Sequence, residues 1–494
     1  MYALLAVRHL ALRPGRTLLL LGGYGVGVAV MIVLLSIGEA LLAQARDEKL
    51  VGGGDLTVLP EGIDVEVMKT GGLGGMYFSI DHARFIQLQL LASPRLAADV
   101  QAVAPQIDGT LLYLRTPDGA ERTVRAAGEI PSATHAVGAL PALASGQWDD
   151  DAGDARWARP TVAQLRDDID HFHLPPDELT PAERESWAEW HYFNVLSADH
   201  KRWAFVTLLA GGDIPNGRWG GETLVTLREE GKRERRFIAY AKSTSVALST
   251  TRADLTVGDS RVTLLPDGRY DVHAIAPAAD GGAETVTVDL VVSPEPRAYF
   301  PGASLGGGIV SGYAVPALRA DAMGSICTGQ ACERFDSVQA YHDHNWGVWQ
   351  GVTWEWGAAR AGSFTLLYGR VEATGSDHGA LILYLVDSLG FRALFRPSSI
   401  AYEDARTISV NGRALRVPAN ARMMDVRGDD TLGVELQIED AIGTDMRHGG
   451  ERGGRGATMS HPYFIQMKGV ARLSGRIGGR PISGTGAGFF ETYR

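Results

Sequence analysis

From Glu189 to Glu491 the chain is a succession of short alternating runs cut by Gly, Asp and Pro. They read WAFVTLLAG, ETLVTLRE, RRFIAYAK, RVTLLPDGRYDVHAIAP and ETVTVDLVVS, then FTLLYGRVEA, GALILYLVD, FRALFRP, ARTISVNGRALRVP, LGVELQIED and PYFIQMKGVARLSGRIGGRPISGTGAGFFE. A period of two puts successive side chains on opposite faces of a sheet, and turn signals every ~8–15 residues join neighbouring strands antiparallel. The 61 glycines in 494 residues supply those turns. About 300 residues of this pattern exceed one small barrel. The expected fold is therefore mainly β, with two consecutive antiparallel barrels that meet near residues 360–370.

Ahead of this region the chain is built differently. Thr17–Gly38, TLLLLGGYGVGVAVMIVLLSIG, is 22 residues without a charge, enough to cross about 30 Å of hydrocarbon as a helix. Arg8, Arg13 and Arg16 precede it and Glu39 follows it. The positive-inside bias puts the N-terminus in the cytoplasm and everything after about residue 43 outside. AQA at 43–45 is a passable cleavage site. Signal-peptide cores run only about 7–15 residues, however, so an uncleaved anchor is expected.

Residues 50–150 mix short strands (DLTVLP, GTLLYLRT, ERTVRAAG) with one helical stretch, HARFIQLQLLASPRLAADV, and predict a small α+β domain. The acidic, Pro-terminated WDDDAGDARWARP (148–160) marks a boundary. Two short helices broken at Pro175–Pro176 follow; the second opens with Thr180 as N-cap and Pro181 at the first helical position. His171 and His173 in this acidic segment are expected to be solvated. The expected organisation is a cytoplasmic basic segment (1–16), a transmembrane helix (17–42), a periplasmic α+β domain (43–150), a linker with short helices (151–188), and two barrels (189–365 and 366–494).

A net charge of −11 with no basic stripe excludes a nucleic-acid partner. Cys327 and Cys332, spaced C-x4-C around a glycine, suit a small disulfide-closed loop in an oxidising compartment and stay thiols in a reducing one. Two cysteines and no CxxC leave no protein-only cysteine zinc site. The chain has no HExxH or Walker motif, and GTGAG at 484–488 lies in a hairpin context with no helix after it.

The chemistry-bearing stretch is AYHDHNWGVWQGVTWEWG, Ala340–Gly357. It sets Asp343 between His342 and His344, with Tyr341, Asn345, Trp346, Trp349, Trp354 and Trp356 close in sequence. Protonating an isolated alkene needs an acid that keeps its proton near neutral pH, which burial in an apolar site provides. Aromatic faces then stabilise the carbocation. On a strand Tyr341, Asp343 and Asn345 face one way, and His342, His344 and Trp346 the other. Two readings stay open. Asp343 is a proton donor, or it accepts backbone and indole N–H bonds and ties down a strand. The tryptophans hold an apolar molecule, or they fill a barrel. His342 and His344 share a face, and His191 or Glu189 could join them on a metal, but spacing does not show convergence; no metal and no cofactor are expected.

Three phrases together resemble the AttH-like and carotenoid 1,2-hydratase (hydroxyneurosporene synthase) family, a pair of lipocalin-like barrels. They are EWHYFNV (Glu189–Val195), YHDHNWGVW (Tyr341–Trp349) and YFIQMKGVARLSGRIGGRPISGTGAGFFE (Tyr463–Glu491). His191 replaces the usual second tryptophan of the first phrase, and Ile465–Gln466 replaces a Trp-Glu pair in the third. Glu491 falls on a family-position carboxylate. The N-terminal third, through VQAVAPQIDGTLLYL, TVRAAGEIP and LPALASGQW, resembles MacB/FtsX-type ABC permeases, without their remaining spans.

The resemblances imply a single-pass protein of a bacterial inner membrane, with its main domains periplasmic. Its expected function is to bind a hydrophobic lipid or isoprenoid through Trp190, Tyr192, Glu189 and the aromatic residues of the central stretch, beside an ABC permease and its ATPase. The alternative is a hydratase-type enzyme, with Asp343 as acid and His342 and His344 in its site.

Overall fold

A computed structural model of the chain describes residues 14–46, 55, 56, 58, 80–117, 119–138, 149–304, 311–373, 379–446 and 461–494. They divide into two compact units, Met1–Ala83 with Asp99–Asp154, and Arg84–Ala98 with Ala155–Arg494.

In the first unit, helix α1 (Pro14–Arg46) includes a 24-residue apolar stretch, Pro14–Ile37, with an 18-residue window of mean hydropathy 2.5, none of it buried. It is long and apolar enough to cross a membrane, a test that a signal sequence passes equally. Helix α2 (Ile80–Ala92) belongs to the second unit from Arg84 onward. Strands β1 (Gln106–Arg115) and β2 (Glu121–Glu129) pair as the antiparallel hairpin expected from GTLLYLRT and ERTVRAAG, and helix α3 (Pro131–Ala136) follows. The phrase LPALASGQW and most of residues 47–79 lie outside the described residues.

The second unit takes helix α4 (Ala152–Ala158) from Ala155 onward, then helices α5 (Val162–Asp170) and α6 (Pro181–Glu185). Capping boxes start α5 (Thr161 with Gln164) and α6 (Thr180 with Glu183), and Pro181 takes the first-turn position expected of it. Helix α5 buries Arg166, Ile169 and Asp170, one stripe at i, i+3 and i+4. Phe172 beyond it is 1% exposed. The segment read as a linker is therefore part of the first barrel: Phe172 packs in its core and the helix end carries Asp170 inside.

That barrel is built from β3 (Trp187–Leu196), β4 (Arg202–Asp213), β5 (Arg218–Glu229), β6 (Arg235–Lys242), β7 (Val246–Leu248), β8 (Leu255–Val257), β9 (Ser260–Leu264), β10 (Tyr270–Pro277), β11 (Thr285–Pro294), β12 (Phe300–Ser304), β13 (Ser311–Thr328) and β14 (Ala331–Val348). Their order is β6-β5-β4-β3-β14-β13-β11-β10-β9-β8-β7, with β12 on β13. The sheet curls until Phe237 on β6 bridges Ala278 just past β10, which nearly closes it. Val206, Leu208, Val225, Phe237, Val272 and Val288 fill the interior. Each such side chain stabilises the fold by about 1.5–3 kcal/mol on burial.

A second antiparallel sheet takes β15 (Val352–Ala361), β16 (Phe364–Ala373), β17 (Ile382–Asp387), β18 (Gly390–Phe395) and β19 (Ala401–Glu403). The hairpin β20 (Arg406–Val410) and β21 (Arg413–Val417) stands apart from it. Strands β22 (Asn420–Arg427), β23 (Asp430–Asp445), β24 (Tyr463–Ile477) and β25 (Arg480–Tyr493) complete it as a half-barrel ordered β18-β17-β16-β15-β25-β24-β23-β22-β19. Both halves are consistent with lipocalin-like barrels. The boundary between them falls at the turn after Val348 and not at residue 365, because β15 pairs with β16 and β25 and with no strand of the first sheet. Cys327 and Cys332 stand opposite each other at the β13–β14 hairpin tip and are disulfide-bonded.

Candidate functional site

Strands β3 and β14 are neighbours at the middle of the first sheet, and both of their faces are covered. The register sets His344 opposite His191, Asp343 opposite Tyr192 and Asn345 opposite Trp190. Alternation sends Glu189, His191, Phe193, His342 and His344 into the barrel, and Trp190, Tyr192, Tyr341, Asp343 and Asn345 into the seam against the second sheet. The opposed faces expected for Asp343 and the two histidines are what the structure has. His342 and His344 therefore belong to a different site from Asp343.

The barrel face holds a buried polar cluster. Asp170, carried in by the end of α5, His191, His342 and His344 are each 0% exposed, and Glu189 is 1% exposed. Asp170 Oδ2 accepts the Tyr270 hydroxyl at 2.7 Å and faces His342 Nε2 at 3.0 Å. Its Oδ1 faces His344 Nδ1 at 2.8 Å, and His344 Nε2 lies 2.9 Å from Glu189 Oε1. Glu189 also accepts the backbone N–H of His173, whose Nδ1 is 2.9 Å from Oε1. His173 is thus bound and not solvated, and its ring stacks on Trp346 with centroids 4.0 Å apart.

Burial and close partners compete at each group of this cluster. Burial alone would raise Asp170, but His191 and His342 hold it well below the usual carboxylate range. Burial likewise opposes the hydrogen bonds from His173 and His344 at Glu189, and the bonds win, lowering it. Burial would push His344 down, yet its hydrogen bonds to Asp170 and Glu189 push it up to about 9. At His191 burial prevails over Asp170, and the ring is pushed down to about 4. Neither nitrogen of His191 has a hydrogen-bond partner; its Nδ1 lies 3.4 Å from Asp170 Oδ1 without hydrogen-bond geometry. An orphaned buried polar group costs about 1–3 kcal/mol.

The seam face is different in kind. Asp343, 4% exposed, accepts Asn345 Nδ2 at 2.6 Å and the hydroxyl of Tyr341, which itself accepts Trp356 Nε1 at 2.8 Å. Glu491 on β25, the family-position carboxylate, accepts Trp354 Nε1 at 2.8 Å, the Tyr192 hydroxyl at 3.0 Å and Gln466 Nε2 at 3.3 Å. Burial, then the charge of Glu491, push Asp343 up to about 8. Burial raises Glu491 as well. Among the described residues neither forms an ion pair. Other carboxylates of this unit do: Asp387 with Arg95, Glu355 with Arg370 and Asp440 with Arg228.

Of the aromatic residues expected around Asp343, Trp354, Trp356, Tyr341 and Tyr192 join the seam network. Trp349 donates to the Ala188 carbonyl at 3.2 Å and packs 5.0 Å from Trp190. Trp346 stays with the histidines. Glu189, expected with the ligand-facing aromatics, lies in the barrel cluster. A cavity of about 10 Å³ opens beside Tyr341, Asn194, Ala358 and Phe489, the space of one water. Asp170 and Tyr270 escaped sequence reading. The one available signal was the stripe Arg166, Ile169, Asp170, which aims an acidic residue at the core side of a short helix.

No family model and no curated protein sequence matches the chain. Solved structures similar to it include an AttH-type protein of Nitrosomonas europaea, at 17% identity and TM-score 0.43 over 66% of this chain and 98% of that one. Kievitone hydratase of Nectria haematococca is similar at 13% identity and TM-score 0.42, over 64% and 92%. CghA in complex with Sch210972 is similar at 12% identity and TM-score 0.41, over 66% and 97%.

Proposed function

We propose that the chain is a proton-donating enzyme for an apolar alkene, of the hydratase or isomerase kind, with Asp343 as the acid. The observation that carries this reading is the seam carboxyl pair, Asp343 and Glu491. Both are buried, both are held by Tyr, Trp, Asn and Gln donors, and neither forms an ion pair among the described residues. Structural carboxylates elsewhere in the unit are matched by cations. A carboxyl that keeps its proton beside aromatic faces suits donation to carbon.

In this reading the Asp343 proton goes to one alkene carbon and the π electrons form the new C–H bond. The positive charge left on the neighbouring carbon lies against Trp354, Trp356 and Tyr341. Water then forms the C–O bond, and its surplus proton returns to the Asp343 carboxylate. Loss of a proton from carbon in place of water addition gives the isomerised alkene. The cavity beside Tyr341 is water-sized, so the substrate enters by displacing side chains.

The same proposal places α1 as an uncleaved inner-membrane anchor with a cytoplasmic N-terminus and the β-units in the periplasm. The Cys327–Cys332 disulfide supports an oxidising compartment. A second reading is a binding module for a lipid or isoprenoid, accessory to an ABC permease and its ATPase. The aromatic lining of the seam favours it.

The test uses full-length protein in detergent, offered acyclic isoprenoids in D2O. Turnover puts deuterium on carbon, and Asp343→Asn lowers that incorporation by about 100-fold or more. An isoprenoid that binds wild-type protein but never acquires deuterium rejects the enzyme and leaves the binding module.

A further inference from the structure

We propose that Asp170, His191 and His342 hold a divalent transition-metal ion, zinc by donor chemistry, inside the first barrel. The three residues come from the end of α5, from β3 and from β14, and each is 0% exposed. One ligand atom from each lies within 4.8 Å of the others. His342 Nε2 is 3.0 Å from Asp170 Oδ2, and His191 Nδ1 is 3.4 Å from Oδ1. Metal bonds of about 2.0–2.1 Å to nitrogen and oxygen bring ligand atoms about this close to one another.

Hydrogen-bond logic separates a metal from a plain polar cluster. His342 Nδ1 lies 3.1 Å from the Tyr192 carbonyl, which can only accept, so Nδ1 carries the proton. In a neutral ring that leaves a lone pair on Nε2, aimed at a carboxylate oxygen that also only accepts. A positive charge must sit between them, either a second proton or a metal ion. A second proton on His342 would leave His191 as it stands, fully buried with both nitrogens unpartnered. One metal ion satisfies both rings and the carboxylate.

The surroundings are those of ligands held in place. The Tyr192 carbonyl orients His342, the Tyr270 hydroxyl and His344 orient Asp170, and Glu189 in turn holds His344. Phe193 stacks on His342 with centroids 4.1 Å apart, and Phe172 lies against His191. Two imidazoles and a carboxylate fit zinc or its first-row neighbours, and exclude calcium and magnesium, which take oxygen ligands. A second group, His173, Glu189 and His344, also converges. None of its buried ring nitrogens is orphaned as those of His191 are, so it supports the first group.

The experiment is elemental analysis of the full-length protein in detergent, followed by chelation and return of Zn2+ alone. About one zinc per chain is expected, with a melting temperature lowered by the chelator and restored by Zn2+. Co2+ in place of zinc gives visible ligand-field bands. His191→Asn removes both the metal and the bands, whereas the outer-face control His273→Ala keeps them. Because a core variant can misfold, wild-type protein decides independently. Wild-type protein that holds no metal after refolding with Zn2+, and whose melting temperature ignores the chelator, overturns the proposal. So does a folded His191→Asn protein with full metal content.

Discussion

Asp343 lies directly across from Tyr192 on the adjacent antiparallel strand, and the Tyr192 hydroxyl donates to Glu491 at 3.0 Å. Both buried carboxyls are thus held by neutral donors, Asp343 by Asn345 and Glu491 by Tyr192 and Trp354. One residue away on each strand, His344 and His191 stand opposite each other on the other face, where Asp170 is surrounded by histidines. A single strand pair thus separates an acid held by neutral donors from a cluster in which histidines face carboxylates.

That contrast predicts opposite outcomes for two buried aspartates. Asp343→Asn keeps the shape and strands no cation, so stability should stay within about 1 kcal/mol of wild type. Asp170→Asn removes a carboxylate that His342 and His344 face in a dry interior and should cost about 3–5 kcal/mol. Urea unfolding of the two variants measures this. Equal losses would mean that the seam carboxyl has a hidden cationic partner.

The two-face logic was legible in the sequence because it is local. EWHYFNV and YHDHNW each alternate, and a period of two fixes which residues share a face. Two barrels, the α5–α6 helices and the Thr180 cap were legible for the same reason. What brings Asp170 to His342 is a contact across 172 residues, and Glu491 reaches Tyr192 across 299. No periodicity encodes such pairs. The boundary at 365 was misplaced because β15 looks like any strand; only its pairing with β25 assigns it to the second sheet.

The junction of the two sheets should weaken in acid. Arg228 on β5 grips Asp440 on β23 through Nε and a second guanidinium nitrogen, each at 2.8 Å, and Trp203 Nε1 adds a bond at 3.3 Å. Burial alone would raise Asp440, but the hydrogen bonds and charge of Arg228 outweigh it and lower its pKa. A depressed folded-state pKa stabilises above the unfolded value of about 3.9, and the contribution is lost as pH falls through the folded value. Asp440→Asn should therefore cost about 2 kcal/mol at pH 7, and the difference from wild type should shrink below about pH 4. Parallel melting curves from pH 7 to pH 3 would show that this ion pair does not couple to folding.

The disulfide should contribute modestly. Cys327 and Cys332 are five residues apart, at a tip that Thr328 and Ala331 already close by strand pairing. A loop this short constrains the unfolded chain by only about 2 kcal/mol. Reduction should lower the melting temperature by several degrees and leave a cooperative transition. Loss of cooperativity on reduction would mean that the hairpin depends on the bond.

Trp356 and Gly369 form the tightest test of the seam. They face each other across β15 and β16, and one register step along, Gly357 faces Tyr368. Each aromatic ring lies over the glycine opposite, where a Cβ would overlap it. The Trp356 indole cannot yield freely. It is 7% exposed, sits edge-on to Tyr313 at 4.8 Å and donates to the Tyr341 hydroxyl that holds Asp343. Gly369→Ala must therefore push Trp356 away from Tyr341, at a cost of about 1–3 kcal/mol from overpacking. It should also slow any chemistry at Asp343, although Gly369 touches neither carboxyl. Gly433, on β23, has only ordinary contacts around a would-be Cβ, so Gly433→Ala is the matched control. Equal melting temperatures for the two variants would show that the indole can repack, and that Trp356 does not fix the position of Tyr341.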